Sequence, residues 1–305
     1  MPNRGTARPM VGLRSARDDG GMSKSELGAF LQARRAAVSP STAGIPDTGA
    51  RRRVPGLRRE EVAALVGLST DYYVRLEQGR GGRPSESVLE AIAATLLLDE
   101  PQREHLRHLA HPPHRRPRVT RDRLSTSTRA LIDTLTVPAL VMTASTRVVG
   151  WNDLACAVFT DFGSRPVRER NTAWLLFCDV DLADRHRNWE ASARDTVGML
   201  RMAAGRNPDD PDLTALVGEL SVASSTFRQY WNKHHVYEKS TGMTLLRHPQ
   251  VGDIDLTFIA WRTSATPNQI LVTYTPEPGS PSAHAIDLLG SMIATHRRSA
   301  SGDRP

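Results

Sequence analysis

Residues 56–79, Gly56-Leu57-Arg58-Arg59-Glu60-Glu61-Val62-Ala63-Ala64-Leu65-Val66-Gly67-Leu68-Ser69-Thr70-Asp71-Tyr72-Tyr73-Val74-Arg75-Leu76-Glu77-Gln78-Gly79, read as two short helices hinged at one glycine. Val62, Ala63, Leu65 and Val66 fall at helical spacing and predict an apolar face on the first helix. Gly67 supplies the left-handed backbone that a sharp turn between helices requires, and Leu68 fills the angle. Ser69 is the expected N-cap of a second helix that starts near Thr70. Two helices meeting this way form a helix-turn-helix, whose second helix enters the major groove with its N-terminal end. Thr70, Asp71, Tyr72 and Arg75 are therefore the base-reading candidates, while Tyr73 is expected to face inward. Arg75 has a second reading, as a phosphate contact or as the i−4 partner of Asp71.

The flanks extend the same pattern. Leu27, Phe30 and Leu31, with Arg34 and Arg35, predict an amphipathic opening helix, and residues 85–98 predict another with Val88, Leu89, Ile92 and Leu96 inward. With the closing Leu76-Glu77-Gln78-Gly79 in register, the segment resembles the helix-turn-helix of the XRE family, an all-α, lambda-repressor-like domain. Its expected extent is residues 24–110.

Charge supports that assignment independently. Residues 1–123 carry 22 Lys and Arg against 14 Asp and Glu, and the remainder carries 18 against 19, so the chain's net +7 resides in its first part. A cationic domain attracts the phosphate backbone of double-stranded DNA and releases its counterions. Arg51, Arg52, Arg53, Arg58 and Arg59 are the densest cluster and are read as phosphate contacts, because a Pro/Gly-bearing loop holds base-reading geometry poorly. The plainer reading of the same residues is a solvated basic loop.

Composition narrows the class further. With 305 residues the chain is long enough for two domains, and it has no apolar run near the length needed to span a bilayer. No signal-peptide core opens it, so the expectation is a cytoplasmic protein with no membrane partner. Residues 1–23, rich in Arg, Gly and Pro, and residues 297–305 are expected to be disordered tails. Cys156 and Cys178 are too few for a disulfide framework or a four-ligand zinc site and read as buried thiols.

His111-Pro112-Pro113-His114-Arg115-Arg116-Pro117-Arg118 breaks any helix and marks a linker over residues 111–126. Beyond it, residues 127–296 read as a second domain. Residues 127–135 predict a short helix, after which the period shifts toward two. Residues 138–143 and 147–151 predict a hairpin around Ala144-Ser145-Thr146, and Asn152 or Asp153 caps a following helix. Residues 242–249, 254–261 and 269–275 predict three more strands. Five antiparallel strands with helices packed on one face make an α+β domain with a pocket between sheet and helices, and its opening is PAS-like.

The whole chain then resembles one family, bacterial regulators that join an XRE-type helix-turn-helix to a MmyB-like ligand-binding domain. The resemblance rests on residues 51–63 and 71–80, on Val149-Gly150-Trp151-Asn152, and on Phe227-Arg228-Gln229-Tyr230-Trp231 leading to His248-Pro249. It implies a transcription factor whose sensory half holds a fatty-acid-like or other small apolar ligand. Such regulators are typical of actinobacteria, which agrees with the high Arg and low Lys use.

The pocket residues are argued from chemistry. Phe227, Tyr230, Trp231 and His234 share one helical face, with Arg228 on another, and Trp151 and Phe258 are further candidates for the lining. Phe159, Trp174, Phe177 and Trp261 are lining candidates as well, and core packing is the competing reading of all these aromatics and the favoured one for most of the last group. His234 and His235 beside Asp253 and Asp255 lack a third ligand at helical spacing, so no metal is expected. No phosphate loop or nucleophile elbow indicates catalysis. Two readings of the second half stay open: a small-molecule sensor, or a ligand-free dimerisation or docking module. A homodimer is expected, since one recognition helix reads few base pairs, and residues 285–296 predict a helix that can serve it.

Overall fold

The computed structural model describes residues 21–46, 56–112, 124–234, 236, 240–262 and 268–302. Arg51, Arg52, Arg53, His235 and most of the proline-rich linker lie outside these residues. The N-terminal half comprises α1 (Gly21–Ala37), α2 (Arg59–Val66), α3 (Thr70–Glu77), α4 (Glu86–Thr95) and α5 (Glu100–Ala110). Three of these begin at side-chain caps: Ser69, Ser85 and Asp99 accept from the backbone N–H of Tyr72, Val88 and Gln102. Between α2 and α3, Gly67 adopts φ 78°, the left-handed value the sequence demanded. Phe30, Leu57, Val62, Tyr73 and Ile92 meet in a core from which solvent is excluded.

Two details differ from the sequence reading. Leu65 is 46% exposed, because on an eight-residue helix it lies about 100° around from the centre of the Val62, Ala63 and Val66 face. The second difference is α5, a helix that the sequence reading, which ended the preceding helix at residue 98, did not include. Leu97, in a left-handed conformation, and the Asp99 cap with Pro101 behind it divide the two.

The C-terminal half follows in the order α6 (Thr126–Thr134), β1 (Ala139–Thr143), β2 (Val148–Trp151), α7 (Asp153–Val158), α8 (Thr172–Cys178), α9 (Val180–Arg185), α10 (Trp189–Arg206), α11 (Pro211–Ala223), α12 (Ser225–Asn232), β3 (Thr241–His248), β4 (Gly252–Arg262), β5 (Gln269–Thr275) and α13 (Pro281–Gly302). The five strands form one antiparallel sheet in the order β2-β1-β5-β4-β3, so the opening hairpin flanks the three later strands. Asn152 explains why the chain turns into α7 after Trp151. Its Oδ1 accepts from the N–H of Ala139 and of Ala155, both at 3.0 Å, and its Nδ2 donates to the Val137 carbonyl at 2.8 Å. One buried side chain thus caps the helix and ties it to β1.

Strand alternation sorts the residues. Leu140 and Met142 of β1, Ile270, Val272 and Tyr274 of β5, and Phe258 and Ala260 of β4 share the inner face, with Phe258 opposite Tyr274 and Ala260 opposite Val272. Helices α7 and α13 pack on this face through Ala155, Val158, Ile286 and Leu289. The other face is not bare, contrary to the expectation of helices on one side only. Ile132 of α6 packs there on Ala139 and Val141, because β1, an interior strand apolar on both faces, needs cover on both. The terminal helix also outruns its expected end at residue 296, continuing to Gly302. No helix breaker intervenes, and Arg297 pairs with Asp153 of α7.

Candidate functional site

The DNA-reading candidates lie together on α3. Thr70 and Asp71 are exposed in its first turn, Tyr72 is half-buried, and Tyr73 turns into the core as expected. Arg75 lies 3.5 Å from Asp71 and 6.0 Å from the centroid of the Tyr72 ring, so its alternative reading as an i−4 ion-pair partner is realised here. Behind this surface, the almost fully buried Glu77 carboxylate accepts from Arg35 at 2.6 Å and from Arg59 at 2.7 Å. Arg35 also donates to the Leu57 carbonyl at 2.7 Å. This carboxylate braces α1, α2 and α3 against one another. The charge of Arg59 is therefore largely compensated by Glu77, which also raises its pKa through a hydrogen bond and charge attraction. Arg58 is exposed and 3.7 Å from Glu60, while its backbone N–H donates to Glu61 at 2.7 Å at the head of α2.

The expected anchor segment sits elsewhere than the sequence suggested. Helix α12 ends at Asn232, and His234 has φ 49°, so His234 does not share the helical face of Phe227, Tyr230 and Trp231. Phe227 is fully buried among α8, α10 and α11, stacked on Trp231 at 5.6 Å and edge-on to Phe177 at 5.2 Å. Tyr230 and Trp231 pack on the same helical cluster. Arg228 is exposed and donates to the Ser221 carbonyl at the end of α11. Trp151 lies 5.5 Å from Phe162, with Arg129 and Arg170 over its ring. Of the lining candidates Phe258 and Phe159 face the cavity under the sheet, while Phe227, Tyr230, Trp231 and Trp151 serve packing and Arg228 stays at the surface.

The end of α12 instead anchors the two halves to each other. Arg201 of α10, buried, donates to the Trp231 carbonyl at 2.9 Å, lies 4.2 Å over the Trp231 ring, and pairs with Glu26 of α1 at 3.0 Å. Arg34 of α1 donates to the carbonyls of Lys233 and His234 at 3.4 and 3.1 Å. Two cations thus satisfy carbonyls left over at a helix C-terminus. Between them His105 of α5 is buried, and its pKa falls to about 3, first through burial and then through the charge of Arg201. His234 is lowered to about 4 for the same two reasons. Gly205 permits this approach, since a Cβ there would stand 2.3 Å from His105 Nδ1. Met202 and Val236 complete the seam by joining the N-terminal core. A glycine inside α10 was the one trace of this contact visible in the sequence.

Between the inner face of the sheet and helices α8, α9 and α10 lies a cavity of about 520 Å³. Leu140, Met142, Phe258, Ile270 and Val272 of the sheet face Leu175, Leu176, Leu182 and Met199 of the helices across it, with Phe159 and Phe162 at one side. This volume lies in the range of small-molecule sites. Part of the rim is not from the C-terminal half at all: Glu100, Pro101 and Glu104 of α5 border the opening, and Glu104 is held at 3.1 Å by Arg206 of α10. No group of three metal-ligating side chains occurs among the described residues, and Asp253 and Asp255 pair with Arg187. Cys156 and Cys178 are half-buried free thiols, and burial raises both.

A helix-turn-helix joined to an α+β domain with an apolar cavity defines a DNA-binding transcription regulator with a ligand-binding half. The family described as helix-turn-helix domain matches residues 26–106, and the family described as MmyB-like transcription regulator ligand binding domain matches residues 124–289. The second match covers more than half the chain, which belongs to the MmyB-like regulators. A comparison with curated proteins found no match. Among the described residues, no helix is long and apolar enough to cross a membrane.

Proposed function

We propose that this regulator binds a two-fold related DNA site as a homodimer and senses a small apolar ligand in the cavity beneath its sheet. The observation that carries the sensing is the cavity itself, closed by apolar side chains from three strands and three helices and rimmed by α5 of the DNA-binding half. Helix α5 packs on α1, and α1 packs on α3, so a ligand that changes how α5 seats is one step from the reading helix. Its influence is set by its differential affinity for the two seatings. A docking module with no ligand has no use for such a space, so the cavity favours the sensor. For DNA, Thr70, Asp71, Tyr72 and Arg75 read bases, and Arg51, Arg52, Arg53 and Arg58 contact phosphates, Arg59 acting chiefly through Glu77.

Native mass spectrometry of the purified chain, followed by organic extraction, tests the sensing half. A dimer carrying a stoichiometric small molecule is expected, and an empty monomer would sink both claims. Selection of bound duplexes from random DNA supplies an operator for the other half. On it, Thr70→Ala or Tyr72→Ala is expected to cost about 1–3 kcal/mol and relax specificity, while Arg52→Ala weakens all sequences alike and flattens the salt dependence. Equal losses on specific and random DNA from both kinds of change would refute this division of roles.

A further inference from the structure

The cavity has a polar layout that narrows the ligand beyond "apolar". Along β4 and β5 the inward pairs run from Phe258 opposite Tyr274, through Ala260 opposite Val272, to Arg262 opposite Ile270. Four residues of strand, about 13 Å, separate the Tyr274 level from Arg262, which is exposed at the rim. Among the described residues, the charged side chains of the lining are Glu100, Glu104, Asp195 and Arg262, with Arg206 on Glu104. Glu100 and Glu104 are already paired, with Arg107 and Arg206.

The lining from α8, from α9 with the following His186, and from the Tyr274 end of the sheet carries polar groups but no charged side chain among the described residues, Arg185 lying behind it on the Phe159 carbonyl. Tyr274 packs edge-on against Phe159 at 4.8 Å, and its hydroxyl has no hydrogen-bond partner among the described residues. Burial raises its pKa, so it stays a phenol that donates and accepts. His186 sits on the wall with Nδ1 2.8 Å from the Leu182 carbonyl, which makes Nδ1 the protonated nitrogen and leaves Nε2 an acceptor. Burial lowers its pKa and keeps the ring neutral. Thr172 and Thr244 complete the polar lining of this part. Moving an ion from water onto a mostly apolar lining is strongly unfavourable unless it is directly paired, whereas a neutral hydroxyl or carbonyl finds both a donor and acceptors.

We propose that the cavity takes an uncharged, predominantly aliphatic molecule bearing one hydroxyl or carbonyl group, which hydrogen-bonds to Tyr274 while the opposite end reaches the α5 rim. This rests on the reading of the cavity as the sensory site and replaces the fatty-acid-like ligand suggested by resemblance with a neutral one. A fatty alcohol, a fatty aldehyde or a lactone has the required chemistry.

Binding of four probes of equal chain length to the full protein tests it: decan-1-ol, decanoate, decylammonium and decane, measured by calorimetry near neutral pH. Decan-1-ol is expected to bind at least about tenfold more tightly than either charged probe. Tyr274→Phe keeps the ring and removes the hydroxyl, so it should weaken decan-1-ol about fivefold and leave decane unchanged. Loss of both in that variant would mean a damaged wall; Thr244→Val, expected to spare decane likewise, then decides whether the polar end is recognised inside. Decanoate or decylammonium binding as tightly as the alcohol overturns the neutral ligand and leaves the sensory reading standing. If none of the four binds, the sensory reading of the cavity falls, and this inference with it.

Discussion

The two halves treat their apolar residues in opposite ways. In the helical half Phe30, Tyr73 and Ile92 close on one another and exclude solvent, whereas in the sheet half residues just as apolar, though Met199 touches the sheet, leave about 520 Å³ between sheet and helices. Close-packed interiors leave few voids larger than a water molecule, so the space is a property of that half and not of the composition. The difference matches the tasks. A reading helix has to be presented at a fixed angle, which the shared Glu77 brace and a filled core provide. A sensor has to receive a molecule, which a filled core prevents.

The largest test of that contrast is truncation. Ile92→Ala in the filled core is expected to cost about 2–5 kcal/mol in denaturant unfolding, because a closed cavity is created. Ile270→Ala, on a wall that already borders open space, is expected near or below the lower end of that range. Equal costs would show that the cavity walls are as tightly supported as the helical core.

An intermediate effect concerns the seam that joins the halves. His105 faces Arg201, Arg34, His108 and His234 and is held neutral, its pKa lowered to about 3 against an ordinary 6.5. In the unfolded chain the imidazole takes up a proton below about pH 6.5, while the folded chain refuses it down to about pH 3. Stability is therefore complete above about pH 6.5 and falls by about 1.4 kcal/mol per pH unit below it, until the folded value is reached. His234 adds a loss of the same sign down to about pH 4. Denaturant midpoints measured from pH 8 to pH 4 should show this slope, and His105→Leu should flatten it; an unchanged slope would mean that His105 is not the group excluded from protonation.

The smallest effect comes from adding volume. Ala260→Leu places three carbons into the cavity and is expected to change stability by less than about 1 kcal/mol while blocking the ligand. Ala93→Leu in the filled core is expected to cost about 1–3 kcal/mol by overpacking. A large penalty at Ala260 would mean that the space is not available to a side chain, and so not to a ligand.

Much of this was legible in the chain. Gly67, the Ser69 and Ser85 caps and the apolar periodicity located the reading helix, and alternation with the Trp151-Asn152 transition located all five strands. These features are local, encoded within one turn or one strand, where residue type and backbone preference agree. The ligand site was legible only as a class. The aromatics of α12 looked like a lining because three of them recur at helical spacing, and spacing cannot say whether the face they share meets a cavity or another helix. Leu175, Leu182, Met199 and Val272 carry no chemical mark that separates a cavity wall from a core.

By itself the sequence determined the two-part architecture, the reading helix and the basic first half, since these follow from periodicity, capping and charge. Only the tertiary structure decided that Arg201 and Arg34 tie the halves together and that α5 of the DNA-binding half rims the cavity. Each of these depends on which surfaces meet across long stretches of chain, and no local pattern of residues encodes that.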